Sequence, residues 1–119
     1  MKKLLLSSLL LSISLFAQSP SVTVSWNAVT TGGTITSFTV LRSTTSTGTY
    51  VSVGTVAYVS GTTSYSFNDT TVVQGNSYYY EIEAVGPGGT SAPTAPSPVA
   101  VVPFLAPSTP TTPTIVVNP

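Results

Sequence analysis

The stretch "SYYYEIEAV", Ser77 to Val85, alternates from end to end. Tyr78, Tyr80, Ile82 and Ala84 fall on one side of an extended chain, Tyr79, Glu81 and Glu83 on the other. Side chains of a strand point to opposite faces with a period of two, so this pattern predicts a β-strand with one face in a core and one in water. The same reading extends outward in both directions. "GTTSYSFND" before it sets Tyr65 and Phe67 in register, and "YVSVGTVAYV" carries Tyr50 and Val53. "ITSFTVLRS" places Phe38 and Val40 on one face, and "SVTVSW" sets Val22, Val24 and Trp26 against Thr23, Ser25 and the following Asn27. After the opening stretch, "GPGG" is a hairpin turn and "SPVAVVP" the last strand of the body. "VTTGGT" and "TTSTGT" are turns between strands, and no stretch has helical periodicity. Short strands with a turn every several residues predict an all-β, antiparallel β-sandwich. Its expected core is Trp26, Phe38, Val40, Phe67, Tyr78, Tyr80 and Ile82.

The chain opens with "MKKLLLSSLLLSISLFAQS". Lys2 and Lys3 form a basic start, Leu4 to Phe16 is an apolar run broken only by serines, and Ala17 offers a small residue for cleavage. Residues 1–17 therefore read as a secretory signal peptide, too short for a membrane-spanning helix of roughly 20 apolar residues. Export to the cell surface or the medium is expected, with Gln18 as the first mature residue and no membrane insertion afterwards. That leaves one domain over residues 18–103 and a Pro/Thr-rich tail over 104–119.

After the leader the charges are Arg42 against Asp69, Glu81 and Glu83, so 1 − 3 = −2. A chain without a basic patch has no electrostatic hold on nucleic acid. Few charges also mean weak repulsion between copies, a composition that suits a subunit of an assembly better than a free monomer. Cysteine is absent, so packing rather than disulfides must hold the fold.

The sequence argues against catalysis. Histidine and cysteine are missing and lysine occurs only in the leader, which removes the usual bases, thiol nucleophiles and best metal ligands. No cofactor or metal site is expected. Glu81 and Glu83 stand about 7 Å apart along one strand face, and their better reading is that they keep that face wet. "NDT" at Asn68–Thr70 is formally a glycosylation sequon, but turn chemistry at Asp69 accounts for it. Aromatic faces can stack on sugars, yet Tyr79 is the only tyrosine the alternation places clearly outward.

Several of these residues together resemble a fibronectin type III domain of the kind attached to secreted bacterial carbohydrate-active enzymes. The similarity runs from about Val22 to Val102. Trp26 falls where the family has its core tryptophan on the second strand, and Leu41-Arg42-Ser43 falls where such domains often read Tyr-Arg-Ser. Val72, Gly75 and Tyr78 match the tyrosine-corner pattern, which implies that the Tyr78 hydroxyl bonds back to the backbone. One departure stands out. The family has a first strand of about ten residues before the tryptophan strand, and here only Gln18-Ser19-Pro20 precede "SVTVSW". The edge of the strand carrying Val22, Val24 and Trp26 is thus expected to lack a partner and to recruit one.

The tail has the matching surplus. In "APSTPTTPTIVV" prolines stiffen a spacer, and Thr114, Ile115, Val116 and Val117 make a β-prone run. The leading expectation is a non-catalytic structural subunit of an extracellular filament or surface layer. Residues 114–117 would act as a donor strand for Val22, Val24 and Trp26 of the next copy, giving a head-to-tail homopolymer. Self-insertion and an unengaged spacer remain open for the tail. A monomeric module binding extracellular carbohydrate or a cell-surface partner remains open for the whole.

Overall fold

The computed structural model describes residues 19–29 and 31–119. The leader expected over residues 1–17 lies outside them. Seven strands follow in order: β1 (Val22–Asn27), β2 (Ser37–Ser43), β3 (Val51–Ala57), β4 (Ser64–Asp69), β5 (Ser77–Gly86), β6 (Gly89–Thr90) and β7 (Ala100–Val101). Every pairing is antiparallel. β1 and β4 form a two-stranded sheet; the other sheet runs β3-β2-β5-β6, with β7 also on β5. The molecule is elongated, 84 × 34 × 18 Å.

Alternation explains the layering. Tyr78, Tyr80 and Ile82 of β5 are buried, as are Phe38 and Val40 of β2, Tyr65 of β4, and Val72 and Val102. Val22, Val24 and Trp26 of β1 and Phe67 of β4 are partly buried and pack against them. In the β1–β4 register Trp26 opposes Tyr65 and Val24 opposes Phe67. Phe38 joins the sheets, its ring 5.5 Å from Trp26 edge-on and 4.8 Å from Tyr65. Such aromatic pairs add about 0.5–1.5 kcal/mol each beyond area burial.

Among the described residues, the one charged side chain that is fully buried is tied down from three elements. Asp69, 2% exposed, takes an ion pair of 2.8 Å from Arg42 on β2 and a 2.8 Å hydrogen bond from the Tyr80 hydroxyl on β5. Its other oxygen accepts from the Thr71 backbone N–H and hydroxyl, an Asx turn that ends β4. Burial alone would raise the Asp69 carboxyl; the bonds from Thr71, Tyr80 and Arg42 outweigh it and hold it below its ordinary 3.8. The Arg42 guanidinium also lies 4.8 Å from the centre of the Tyr78 ring. The Tyr78 hydroxyl accepts from the Val73 backbone N–H, five residues upstream, and fastens the turn before β5.

The two sheets meet closely along one side. β3 has a bulge at Val53, because Val40 pairs with Gly54 and Leu41 with Ser52. Gly54 faces the Phe67 ring of β4, where any side chain at this position would collide with it. On the other side, between β1 and the chain returning from β6, the sheets stand apart.

Candidate functional site

That open side is a cleft of about 490 Å³ lined by Trp26, Ile35, Phe38, Ile82, Ala84 and Ala92, among others. Its floor is apolar because the inward faces of β1, β2 and β5 all contribute to it. Trp26 also holds a buried indole N–H that finds no acceptor among the described residues. An unsatisfied buried donor costs about 1–3 kcal/mol, so the site carries an unmet demand as well as uncovered carbon.

The margin of β1 beside the cleft can be read from one hydrogen bond. The Ala28 N–H donates to the Thr63 carbonyl at 2.8 Å, in the same register that pairs Asn27 with Ser64. Bonded and non-bonded pairs alternate along an antiparallel ladder, so Val22, Val24 and Trp26 bond to β4. The backbone groups of Thr23, Ser25 and Asn27 point the other way. Among the described residues no strand pairs with that margin. The residues expected at the acceptor edge therefore divide their roles: Val22, Val24 and Trp26 turn their side chains to the core, and their exposed neighbours present the donors and acceptors.

The other wall of the cleft, the outer edge of β5, is closed. β5 has its outer edge filled by residues 91–97, through a pattern of hydroxyls that the alternation gives no hint of. Ser91, Thr94 and Ser97 donate their backbone N–H groups to the carbonyls of Ala84, Ile82 and Tyr80, at 2.8, 3.0 and 2.9 Å. Their side-chain oxygens accept from the N–H groups of the same three residues, at 2.9, 3.1 and 3.0 Å. Three residues of the returning chain thus span two of β5, with a hydroxyl standing in for the carbonyl of an ordinary strand. The signal in the sequence was hydroxyl residues at intervals of three with prolines between them.

The tail leaves from the other end. Val102 is buried at the β4–β5 turn, where it exchanges hydrogen bonds with Gly75 and Asn76. Gly75 has φ of 82°, a left-handed turn that glycine adopts freely, and the Phe104 ring rests where its side chain would be. The Leu105 N–H donates to the Gln74 side chain at 3.1 Å. From Ala106 onward no hydrogen bond joins the tail to the body among the described residues. Thr114 is exposed, and Ile115, Val116 and Val117 are 86%, 78% and 86% exposed. Within one chain the tail run and the β1 edge are not brought together. The tail departs beside the start of β5, and the cleft lies beside its last residues, about 25–30 Å along the strand.

Glu81 and Glu83 sit on the outer face of β5, opposite Leu41 and Thr39. None of the six tyrosines is exposed: Tyr65, Tyr78 and Tyr80 are buried and Tyr50, Tyr58 and Tyr79 partly so. No family model matches the chain, and neither a curated protein nor a solved structure does.

Proposed function

We propose that this chain is a secreted, non-catalytic structural subunit with a fibronectin-type-III-like sandwich, assembling into an extracellular filament or surface layer by lending its tail to the next copy. One observation carries the reading. Among the described residues, the same molecule has an unpaired β1 margin over an open apolar cleft at one end, and an exposed β-branched run leaving from the other.

The resemblance supplies the context. A fibronectin type III domain has a first strand against the outer edge of the strand that corresponds to β1, over the region of the cleft. A tail arriving from a copy stacked end to end would run antiparallel to β1, the direction of that first strand. The chain's own tail, starting at the far end, would have to run parallel to β1. Backbone pairing supplies the hold in such strand addition, and burial of an Ile or Val side chain contributes about 1.5–3 kcal/mol. With every tyrosine buried or partly buried, a sugar-stacking platform finds little support.

Two variants test the reading together. Ser25→Pro removes a backbone N–H that faces away from β4, so β1 stays paired while its outer margin is blocked. A chain ending at Pro107 keeps the margin and lacks the tail run. The full chain is expected to form polymers in light scattering and negative-stain images, and each variant alone to stay monomeric. An equimolar mixture of the two is expected to give dimers and nothing longer. Polymers from Ser25→Pro would rule out the β1 margin as acceptor, and polymers from the shortened chain would rule out the tail as donor.

A further inference from the structure

The segment that closes β5 has a second copy in the tail. Residues 91–97 read "SAPTAPS" and residues 108–114 read "STPTTPT". Both carry hydroxyl residues at their first, fourth and seventh positions and prolines at their third and sixth. In the first copy those hydroxyl residues are the ones that grip β5, each with its N–H on a carbonyl and its side-chain oxygen on an N–H. In the second copy Ser108, Thr111 and Thr114 are exposed and make no hydrogen bond to the body among the described residues.

We infer that Ser108, Thr111 and Thr114 are a second hydroxyl ladder, and that it grips the β1 margin of another copy of this chain. The inference rests on the tail-donation reading and changes which residues do the holding. The numbers of partners agree. The ladder on β5 engages three alternate residues, Tyr80, Ile82 and Ala84, and the β1 margin presents three alternate residues, Thr23, Ser25 and Asn27. In the antiparallel sense seen on β5, Ser108 meets Asn27, Thr111 meets Ser25 and Thr114 meets Thr23. The chain length also fits. Five residues separate Val102 from Ser108, six steps or about 19 Å of extended chain, enough to cross between two bodies in end-to-end contact. Thr109 and Pro110 then cover the cleft beside Trp26. Ile115 to Val117 pass beyond Val22, as Val99 to Val102 follow the first ladder along the start of β5.

The β5 edge of the second copy is a poorer host, because residues 91–97 already fill it. The chain's own β1 is also a poorer host, because its tail would arrive running parallel to it and not in the antiparallel sense seen on β5.

The test uses full chains expressed with their leader and purified after export, and reads the critical concentration for assembly by light scattering. The triple variant Ser108→Ala, Thr111→Val, Thr114→Val removes the ladder oxygens and keeps the shape of both threonines. It is expected to raise the critical concentration roughly a hundredfold, from three lost hydrogen bonds of roughly fivefold each. Thr109→Val with Thr112→Val removes two hydroxyls that lie off the ladder and is expected to change it less than about twofold. If the triple variant assembles like the unaltered chain while Ile115→Ser with Val117→Ser does not, the ladder is overturned and tail donation stands. If no chain assembles at any concentration, tail donation falls. A synthetic Ser108–Pro119 peptide added to the triple variant then decides the ladder: saturable binding that the hydroxyl-free peptide lacks upholds it, and no binding overturns it.

Discussion

Asp69 is where a single atom has most leverage over this fold. Its carboxylate, on β4 of one sheet, is shared by Arg42 and Tyr80 of the other sheet and by Thr71 in the turn between β4 and β5. Because its folded pKa is depressed below 3.8, its contribution is fully present above that ordinary value. It is lost as the pH falls through 3.8 and onward through the lower folded value. Thermal melts are therefore expected to hold steady from neutral pH down to about 5 and to drop steeply below 4. Asp69→Asn is expected to lose about 3 kcal/mol at pH 7, since it strands the Arg42 charge, and to flatten the acid limb. An unchanged acid limb in that variant would assign the acid sensitivity elsewhere. At the alkaline end Tyr80 has the opposite sign: burial first, then the hydrogen bond to Asp69, push its phenol above its ordinary 10.0. Its contribution is present below pH 10 and lost as the pH rises beyond it.

At the scale of elements, the strands were legible wherever side chains alternate. β5 follows "SYYYEIEAV" almost residue for residue, and β1, β2, β3 and β4 lie within or one residue beyond the runs that alternation marks. The last strand was legible only in part. "SPVAVVP" yields two paired residues, Ala100 and Val101, because the chain before them holds β5 through hydroxyls at a period of three. A reading tuned to periods of 2 and 3.6 passes over that pattern. The ion pair between Arg42 and Asp69 was also hidden, since it joins residues 27 apart in sequence whose closeness depends on how the sheets face each other. That the outer margin of β1 pairs with no strand among the described residues was expected from the family resemblance, but which residues present the free backbone depends on the phase of the ladder. The β5 ladder gives its own prediction. Thr94→Val keeps the shape of the side chain and leaves the Ile82 N–H without an acceptor, and is expected to lower stability by about 1–2 kcal/mol in urea unfolding. Ala95→Ser adds a hydroxyl out of phase and is expected to change it by less than about 0.5 kcal/mol.

For the molecule as a whole, the scarcity of charge would set how the proposed assembly responds to its surroundings. Each contact between copies would rest on backbone hydrogen bonds and apolar burial, neither of which ionic strength screens. The critical concentration is thus expected to stay within a few-fold between 50 mM and 1 M sodium chloride, roughly the range over which the Debye length falls from above 10 Å to 3 Å. A steep rise with salt would mean that Arg42 and the carboxylates hold the copies together. If the proposed ladder joins the copies, its register also sets the spacing along the polymer. With bodies in end-to-end contact the repeat is about 40 Å, the ten residues of β5 at about 3.4 Å each plus a turn at either end. A repeat of 55 Å or more in images of the polymer would place Ile115 to Val117, instead of Ser108 to Thr114, against β1.

The prolines between the ladder hydroxyls have a consequence for width. A strand that fills an edge ordinarily offers a fresh edge of its own, which is how sheets broaden into aggregates. Along residues 91–98 the Ser and Thr amides are spent on β5 and Pro93, Pro96 and Pro98 have none, so only Ala92 and Ala95 keep an N–H to offer. The tail repeats the arrangement with Pro110 and Pro113, and a tail seated on β1 would leave only Thr109 and Thr112 with one. A tail strand completing the neighbour would at the same time be a stopper: it would satisfy one side and sterilise the other. On the tail-donation reading lateral growth would end with the first strand added, and a chain with little charge to keep its copies apart would stay a thread and not a mat.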